Sequence, residues 1–124
     1  MTLVDTSVWV DHFCRGQPAL VRLLEGDSVE CHPFVIGELA CGNLKNRAEI
    51  LELLRHLPQT AIAEHEDVLA MVERCGLMGA GIGWIDAHLL ASAMISRTDM
   101  WTLDRRLSQV AEDWGLVKPR QHRS

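Results

Sequence analysis

Apolar positions along the chain alternate between short extended runs and helical spacings. Three short apolar runs (Thr2–Val4, Val29–Cys31 and Met100–Leu103) predict strands, because polar or turn-forming residues bound each of them. Elsewhere apolar residues recur three and four positions apart, which predicts amphipathic helices. These helices run from Thr6 to near Gly16, Pro18 to Gly26, Pro33 to Gly42, Ile50 to Leu57, Val68 to Cys75, Trp84 to Met94, and Leu107 to Trp114.

The middle of the chain, from Ile50 to Cys75, is predicted to form a helical hairpin. Two further short strands are possible, at Thr60–Ala63 and at Leu116–Val117. Strands that alternate with helices predict a parallel α/β sheet with helices on both faces and right-handed crossovers. No linker or repeat divides residues 1–124, so a single domain is expected, with a frayed basic tail at 119–124.

Composition narrows the class of protein. The 124 residues are 48% hydrophobic and 23% charged, which supports one packed core. No apolar run reaches the roughly 18 residues of a membrane helix, and no export signal is visible, so a cytoplasmic location away from membranes is expected. The four cysteines are irregularly spaced and are expected to be reduced; their spacing argues against a zinc site with His12 or His32. The net charge of −5 argues against nonspecific nucleic-acid binding but allows a nucleic-acid substrate at a metal site.

Four acidic residues differ from most of the others, which fall on polar faces or in first turns of predicted helices. Asp5 and Asp104 follow predicted strands, and Asp86 lies in the first turn of a helix that a glycine-rich loop precedes. Glu38 lies within an apolar helix, where an unpaired carboxylate is costly to bury. Ligands of open α/β sheets bind beyond the carboxyl ends of the strands, where two of these acids are predicted to lie.

Structural roles remain open for three of these acids when each is taken alone. Asp5 precedes Thr6 and Ser7 and can cap a helix, and Asp86 can complement a helix dipole. Asp104 can pair with Arg105 or Arg106, which follow it directly.

Four segments taken in order resemble the motifs of PIN-domain ribonucleases, and most closely those of the VapC toxins of bacterial toxin–antitoxin modules. The segments are Asp5-Thr6-Ser7-Val8-Trp9-Val10-Asp11-His12, Glu38-Leu39-Ala40-Cys41-Gly42, Gly81-Ile82-Gly83-Trp84-Ile85-Asp86-Ala87-His88-Leu89-Leu90-Ala91-Ser92-Ala93, and Thr102-Leu103-Asp104-Arg105-Arg106-Leu107. Each motif is weak alone, whereas the series covers nearly the whole chain.

The resemblance implies an α/β/α sandwich with a short, mainly parallel sheet and a Mg²⁺- or Mn²⁺-dependent endoribonuclease. Asp5, Glu38, Asp86 and Asp104 match the family's catalytic and metal-binding acids, and Ser7 and Thr102 match its supporting hydroxyls. The implied partners are an RNA substrate and a VapB-like antitoxin. The apolar surface of the first two helices and of the hairpin suggests a homodimer or a partner segment.

The chemistry of the four acids agrees with that implication. Hard cations such as Mg²⁺ prefer carboxylate oxygens and water. Two carboxylates about 4 Å apart repel each other by about 4 kcal/mol at an effective dielectric of about 20, so at least one acid is expected to have a raised pKa. Five basic residues are candidates for contact with RNA phosphates: Arg15, Lys45, Arg47, Arg105 and Arg106.

Other classes of function fit less well. The glycines at 79, 81 and 83 follow a helix, whereas a dinucleotide-binding loop follows the first strand. A haloacid-dehalogenase-like phosphatase needs Asp-x-Asp where this chain has Asp5-Thr6-Ser7, and a receiver domain needs a lysine late in the sheet. The remaining alternative is an inactive PIN-like module that binds RNA or a protein. That alternative would require one of the four acids to be missing, and this chain has all four.

Overall fold

The computed structural model describes residues 1–117, and the predicted frayed tail lies outside the described residues. The sheet contains three parallel strands in the order β2–β1–β3, with β1 at Thr2–Val4, β2 at Val29–Glu30 and β3 at Asp99–Trp101. In the register of the sheet, Leu3 lies opposite Glu30 on one side and Met100 on the other. All three strands therefore present their carboxyl ends at one edge of the sheet.

Seven helices accompany the sheet in residues 1–117. They are α1 at Thr6–Arg15, α2 at Pro18–Glu25, α3 at Pro33–Ala40, α4 at Arg47–His56, α5 at His65–Cys75, α6 at Trp84–Ser96 and α7 at Arg105–Asp113. None of them is long and apolar enough to cross a membrane. The predicted α/β fold with a parallel sheet is confirmed.

The core lies around β1 and α6. Leu3 and Val4 are fully buried, and every residue from Ala87 to Ala93 is buried. A helix that is covered on all sides needs apolar or small residues around its whole circumference, which this stretch supplies apart from His88 and Ser92. The amino-terminal turn of α6, which holds Asp86, is thereby fixed relative to the sheet.

Three predictions about strands and packing are wrong. Thr60–Ala63 forms no strand, because pairing there stops at a single parallel bridge between Cys31 and Gln59. Leu116–Val117 forms none either, although the Met100 amide donates a hydrogen bond of 2.7 Å to the Leu116 carbonyl. The helices of the expected hairpin form, but α4 packs mainly on α3 and α5 on α6, so they do not pair with each other.

His32 connects the amino terminus of α3 to the middle of α6. Its Nδ1 accepts a hydrogen bond from the Phe34 amide at 2.9 Å and so caps α3, while Nε2 lies 3.0 Å from the Ser92 hydroxyl. Because Nδ1 is an acceptor, the neutral ring carries its proton on Nε2 and donates it to Ser92. His32 is fully buried, and this burial, together with repulsion from His88, lowers the pKa of His32 to about 4.

We expect this histidine to make the fold sensitive to mild acid. The unfolded chain binds a proton on His32 near pH 6.5 and the folded chain only near pH 4, so its stabilising contribution is complete above pH 6.5 and declines as the pH falls toward 4. At pH 5 the loss is about 2 kcal/mol. Urea unfolding of wild type and His32→Asn at pH 7 and pH 5 measures it, since asparagine can cap α3 but cannot titrate. Equal losses between pH 7 and pH 5 in the two proteins would contradict the expectation.

Candidate active site

Asp5 is held by two hydroxyl groups at the end of β1. It precedes α1, but its side chain makes no capping hydrogen bond, and the residue is buried. Its Oδ2 accepts hydrogen bonds from Ser7 Oγ at 2.8 Å and from Thr102 Oγ1 at 2.7 Å. Within residues 1–117 its Oδ1 accepts none. The Asp5 side chain therefore does not cap α1, so that alternative is wrong. Its carboxylate is fixed through Oδ2, and Oδ1 is left to bind another ligand.

The same two hydroxyls shape the turn between β3 and α7. Ser7 Oγ accepts a hydrogen bond from the Leu103 amide at 2.9 Å, and Thr102 Oγ1 accepts one from the Asp104 amide at 3.0 Å. Each hydroxyl donates its proton to Asp5 and receives one from this turn. Ser7 and Thr102 therefore connect the segment of Asp5 to the segment of Asp104, two segments that are almost 100 positions apart in sequence.

Asp104 does not follow a strand directly, which corrects the prediction. The strand β3 ends at Trp101, and Asp104 instead occupies the cap position of α7. Its Oδ1 accepts hydrogen bonds from the Arg106 and Leu107 amides, both at 3.0 Å. No ion pair joins it to Arg105 or Arg106 within residues 1–117, so that alternative is wrong as well.

Glu38 is exposed, so this carboxylate avoids the cost of burial within an apolar helix by facing solvent. Although α3 is rich in apolar residues, this position faces outward toward the start of α1. There Glu38 Oε1 accepts a hydrogen bond of 2.6 Å from Thr6 Oγ1. Because Thr6 directly follows Asp5, this bond holds the Glu38 carboxylate beside the end of β1.

Asp86 lies half-buried in the first turn of α6, as predicted. Burial raises the pKa of Asp86, and repulsion from the Asp5 carboxylate raises it further. The Gly83 backbone N–H opposes the rise, while Asp104 and Glu38 add to it. The expectation that one acid has a raised pKa is confirmed. Since Asp86 is repelled by all three of the others, the four carboxylates (the acid cluster, Asp5, Glu38, Asp86 and Asp104) share one electrostatic environment.

The acid cluster offers oxygen ligands alone. Within residues 1–117, no three His, Cys, Asp or Glu side chains are already gathered as a metal-binding group. Repulsion among the four carboxylates explains why they are not already gathered, because it keeps these side chains apart until a cation neutralises their charge. The set fits a hard divalent cation, since Asp5 Oδ1 is not engaged and the site supplies no nitrogen or sulfur. Of the four cysteines, Cys31 is buried and the other three are exposed.

Comparison with known proteins agrees with this arrangement. The family model described as "PIN domain" matches residues 2–113, a range that includes the whole acid cluster. The chain belongs to the PIN-domain family. It is also similar to Ribonuclease VapC32 of Mycobacterium tuberculosis, in strains CDC 1551 / Oshkosh and ATCC 25618 / H37Rv, with 44% identity over 118 residues in both cases. Those alignments cover 94% of this chain and 95% of the relative.

Two of the basic candidates of this PIN domain already have protein partners. The Arg15 guanidinium pairs with Asp11 one turn earlier in α1, and that of Arg47 donates to the Ala40 carbonyl at the end of α3. His88 does not join the acid cluster. It is buried, with its ring 4.8 Å from that of Phe34 and 4.7 Å from that of Trp84.

Thr6 and Gly81 contact residues of the site in this PIN domain, but the sequence did not predict a role for either of them. Thr6 holds Glu38, but a threonine beside an acid at a helix start is commonly a cap, so the pattern gave no separate signal. Gly81 has a positive φ of 80°, and its Cα lies under the side chain of Arg106. The sequence gives no local signal that Arg106 would lie over this glycine.

Proposed function

We propose that this PIN domain is a Mg²⁺- or Mn²⁺-dependent endoribonuclease. The proposal rests on the proximity of four acids from four segments: Asp86 lies near enough to Asp5, Asp104 and Glu38 for each of them to raise its pKa. The similarity to a protein named as a ribonuclease supports RNA as the substrate.

Asp5 and Asp86 are the residues assigned to hold the ion, and Glu38 and Asp104 complete its surroundings through water or orient the attacking water. A bound divalent ion neutralises charge on the scissile phosphate and makes water more acidic. The chain's own contribution is positioning: Ser7 and Thr102 fix Asp5, and Thr6 fixes Glu38. Water attacks phosphorus, the 3′-oxygen leaves and takes a proton, and the products carry a 5′-phosphate and a 3′-hydroxyl.

Glu38 can accept a proton from water. It is exposed, whereas Asp5 is buried and held on Oδ2 by two hydroxyls. Glu38 Oε1 accepts one hydrogen bond from Thr6, which orients the group and leaves Oε2 for the attacking water. This attack does not need the 2′-hydroxyl, so selection of RNA is assigned to contacts outside the acid cluster.

The biological role that we propose is that of the toxin in a toxin–antitoxin module, located in the cytoplasm. Its partner is a VapB-like antitoxin that covers the acid cluster, and the chain forms a homodimer. An open cleft of about 430 Å³ between α1 and α2, lined in part by Arg15, Pro18 and Val21, supports a partner on that side. Val21 and Leu53 are also exposed apolar residues. Light scattering on the isolated chain tests the dimer, and a monomer at high concentration would contradict it.

Cleavage of total cellular RNA tests the enzymatic proposal. We expect fragments with Mg²⁺ or Mn²⁺, none with EDTA, and none from Asp86→Asn under any condition. Asp67→Asn is a matched control, because it removes an exposed carboxylate from the first turn of another helix, α5. Equal cleavage by wild type and Asp86→Asn would contradict the proposal. A folded wild type that binds metal without cutting RNA would favour the inactive module.

A further inference from the structure

The Arg106 side chain lies across the backbone of Gly81. A Cβ atom built on Gly81 would lie 2.5 Å from Arg106 Cδ and Nη1 and 3.0 Å from Nε, which is too close for any real side chain. Gly81 also has a φ of +80°, a conformation that L-residues rarely adopt. Glycine at this position thus leaves the space in which the arginine lies.

This contact joins two segments that carry acids of the cluster. On one side, Arg106 lies in the first turn of α7, and its amide donates to Asp104 Oδ1. On the other side, the loop that contains Gly81 leads through Gly83, the cap residue of α6, to Asp86. The Arg106 side chain therefore lies against the loop that leads to Asp86, while its backbone belongs to the helix that Asp104 caps.

The guanidinium is free to bind a ligand. Arg106 is exposed, and within residues 1–117 its side chain makes no hydrogen bond and no ion pair. Arg15 and Arg47 differ in this respect, because an aspartate and a carbonyl engage them. A guanidinium binds a phosphate through two parallel hydrogen bonds, and a substrate phosphate approaching four carboxylates needs such a cation.

We propose that Arg106, whose side chain lies over Gly81, binds a phosphate of the RNA strand and positions that strand against the acid cluster. The inference rests on the proposed ribonuclease function and extends it by assigning a substrate-positioning residue. Arg106 acts on binding of the strand, and Gly81 acts through Arg106.

The salt dependence of RNA binding tests the proposal on the full chain. The probe is a short fluorescein-labelled single-stranded RNA in the presence of Ca²⁺, and anisotropy gives its affinity over a range of NaCl concentrations. For single strands each phosphate contact contributes about 0.7 to the slope of log affinity against log salt. We expect Arg106→Gln to lower the magnitude of that slope by about 0.7 and to weaken binding roughly tenfold at low salt. Arg106→Lys should retain the slope, because it keeps the charge.

Glycine variants separate a role in positioning from a role in folding. Gly81→Ala displaces Arg106 and should reduce the salt dependence of RNA affinity as Arg106→Gln does. The double variant should bind RNA as tightly as Arg106→Gln alone. Gly79→Ala is the matched control, since Gly79 has nearly the same φ of +78° but a Cβ there would meet nothing within 4 Å. It should bind RNA as wild type does.

Two results would overturn the inference. An unchanged slope in Arg106→Gln would show that its guanidinium does not contact phosphate, and equal behaviour of Gly81→Ala and Gly79→Ala would remove the role of Gly81. Failure of the proposed ribonuclease function would give a different result. In that case wild type would not cut RNA with Mn²⁺, while the slope would still depend on Arg106.

Discussion

Asp5→Asn will abolish metal-dependent RNA cleavage and leave the metal-free fold at least as stable as the wild type. Replacing an ion ligand is expected to lower kcat/KM by on the order of a hundredfold or more, since loss of even an outer partner costs about 10–100-fold at such sites. The fold survives because the asparagine carbonyl oxygen can still accept the hydrogen bonds of Ser7 and Thr102. It gains stability because one of four mutually repelling charges is removed.

The measurement pairs kinetics with thermal unfolding in EDTA. Asp67→Asn serves as the control, because it lowers the negative charge by the same amount outside the acid cluster. Normal cleavage by Asp5→Asn would contradict the assignment of Asp5. A large loss of metal-free stability would show instead that the Asp5 charge is needed by the fold.

Mn²⁺ is expected to raise the melting temperature of the wild type by about 10 °C when free Mn²⁺ is about 100 times its dissociation constant. Binding to the folded state alone contributes about 2.7 kcal/mol at that ratio, and 1 kcal/mol corresponds to several degrees for a chain of this size. The shift should be largely lost in Asp86→Asn, because that variant lacks one of the two proposed ligands. Asp67→Asn should retain it.

The metal prediction is contradicted by either of two scans. A wild type that melts at the same temperature with saturating Mn²⁺ and with EDTA has no site of useful affinity. An Asp86→Asn protein that keeps the full shift binds Mn²⁺ elsewhere, for instance on exposed acids of α5.

Local sequence patterns predicted the elements better than their pairing. The β1 strand matches the prediction in full, because turn chemistry and apolar spacing act within a few residues. The packing of α4 on α3 and of α5 on α6 was not predictable, since it depends on which apolar faces meet in the fold. Thr60–Ala63 has strand-like composition, yet the pairing is limited to the bridge between Gln59 and Cys31, because the chain enters α3 two residues after Cys31.

The order of the motifs singled out four acids that act electrostatically on one another in the fold, but it did not predict the environment of each acid. Glu38 lies in a sequence that reads as buried and is exposed in the fold, since a helix of mostly apolar residues can still present one position to solvent. Asp104 caps a helix three residues after the strand end, a role shown by the hydrogen bonds that its Oδ1 accepts from the Arg106 and Leu107 amides. The contact of Arg106 with Gly81 depends on tertiary packing and has no local signal in the sequence.

Crystals soaked in Mn²⁺ and examined by anomalous scattering would locate the ion most directly. We expect a strong anomalous peak for a Mn²⁺ ion bound by carboxylate oxygens of Asp5 and Asp86. Glu38 and Asp104 should lie close to the ion or be linked to it through water. A peak at some other group of residues, or none at saturating Mn²⁺ in an active protein, would contradict it.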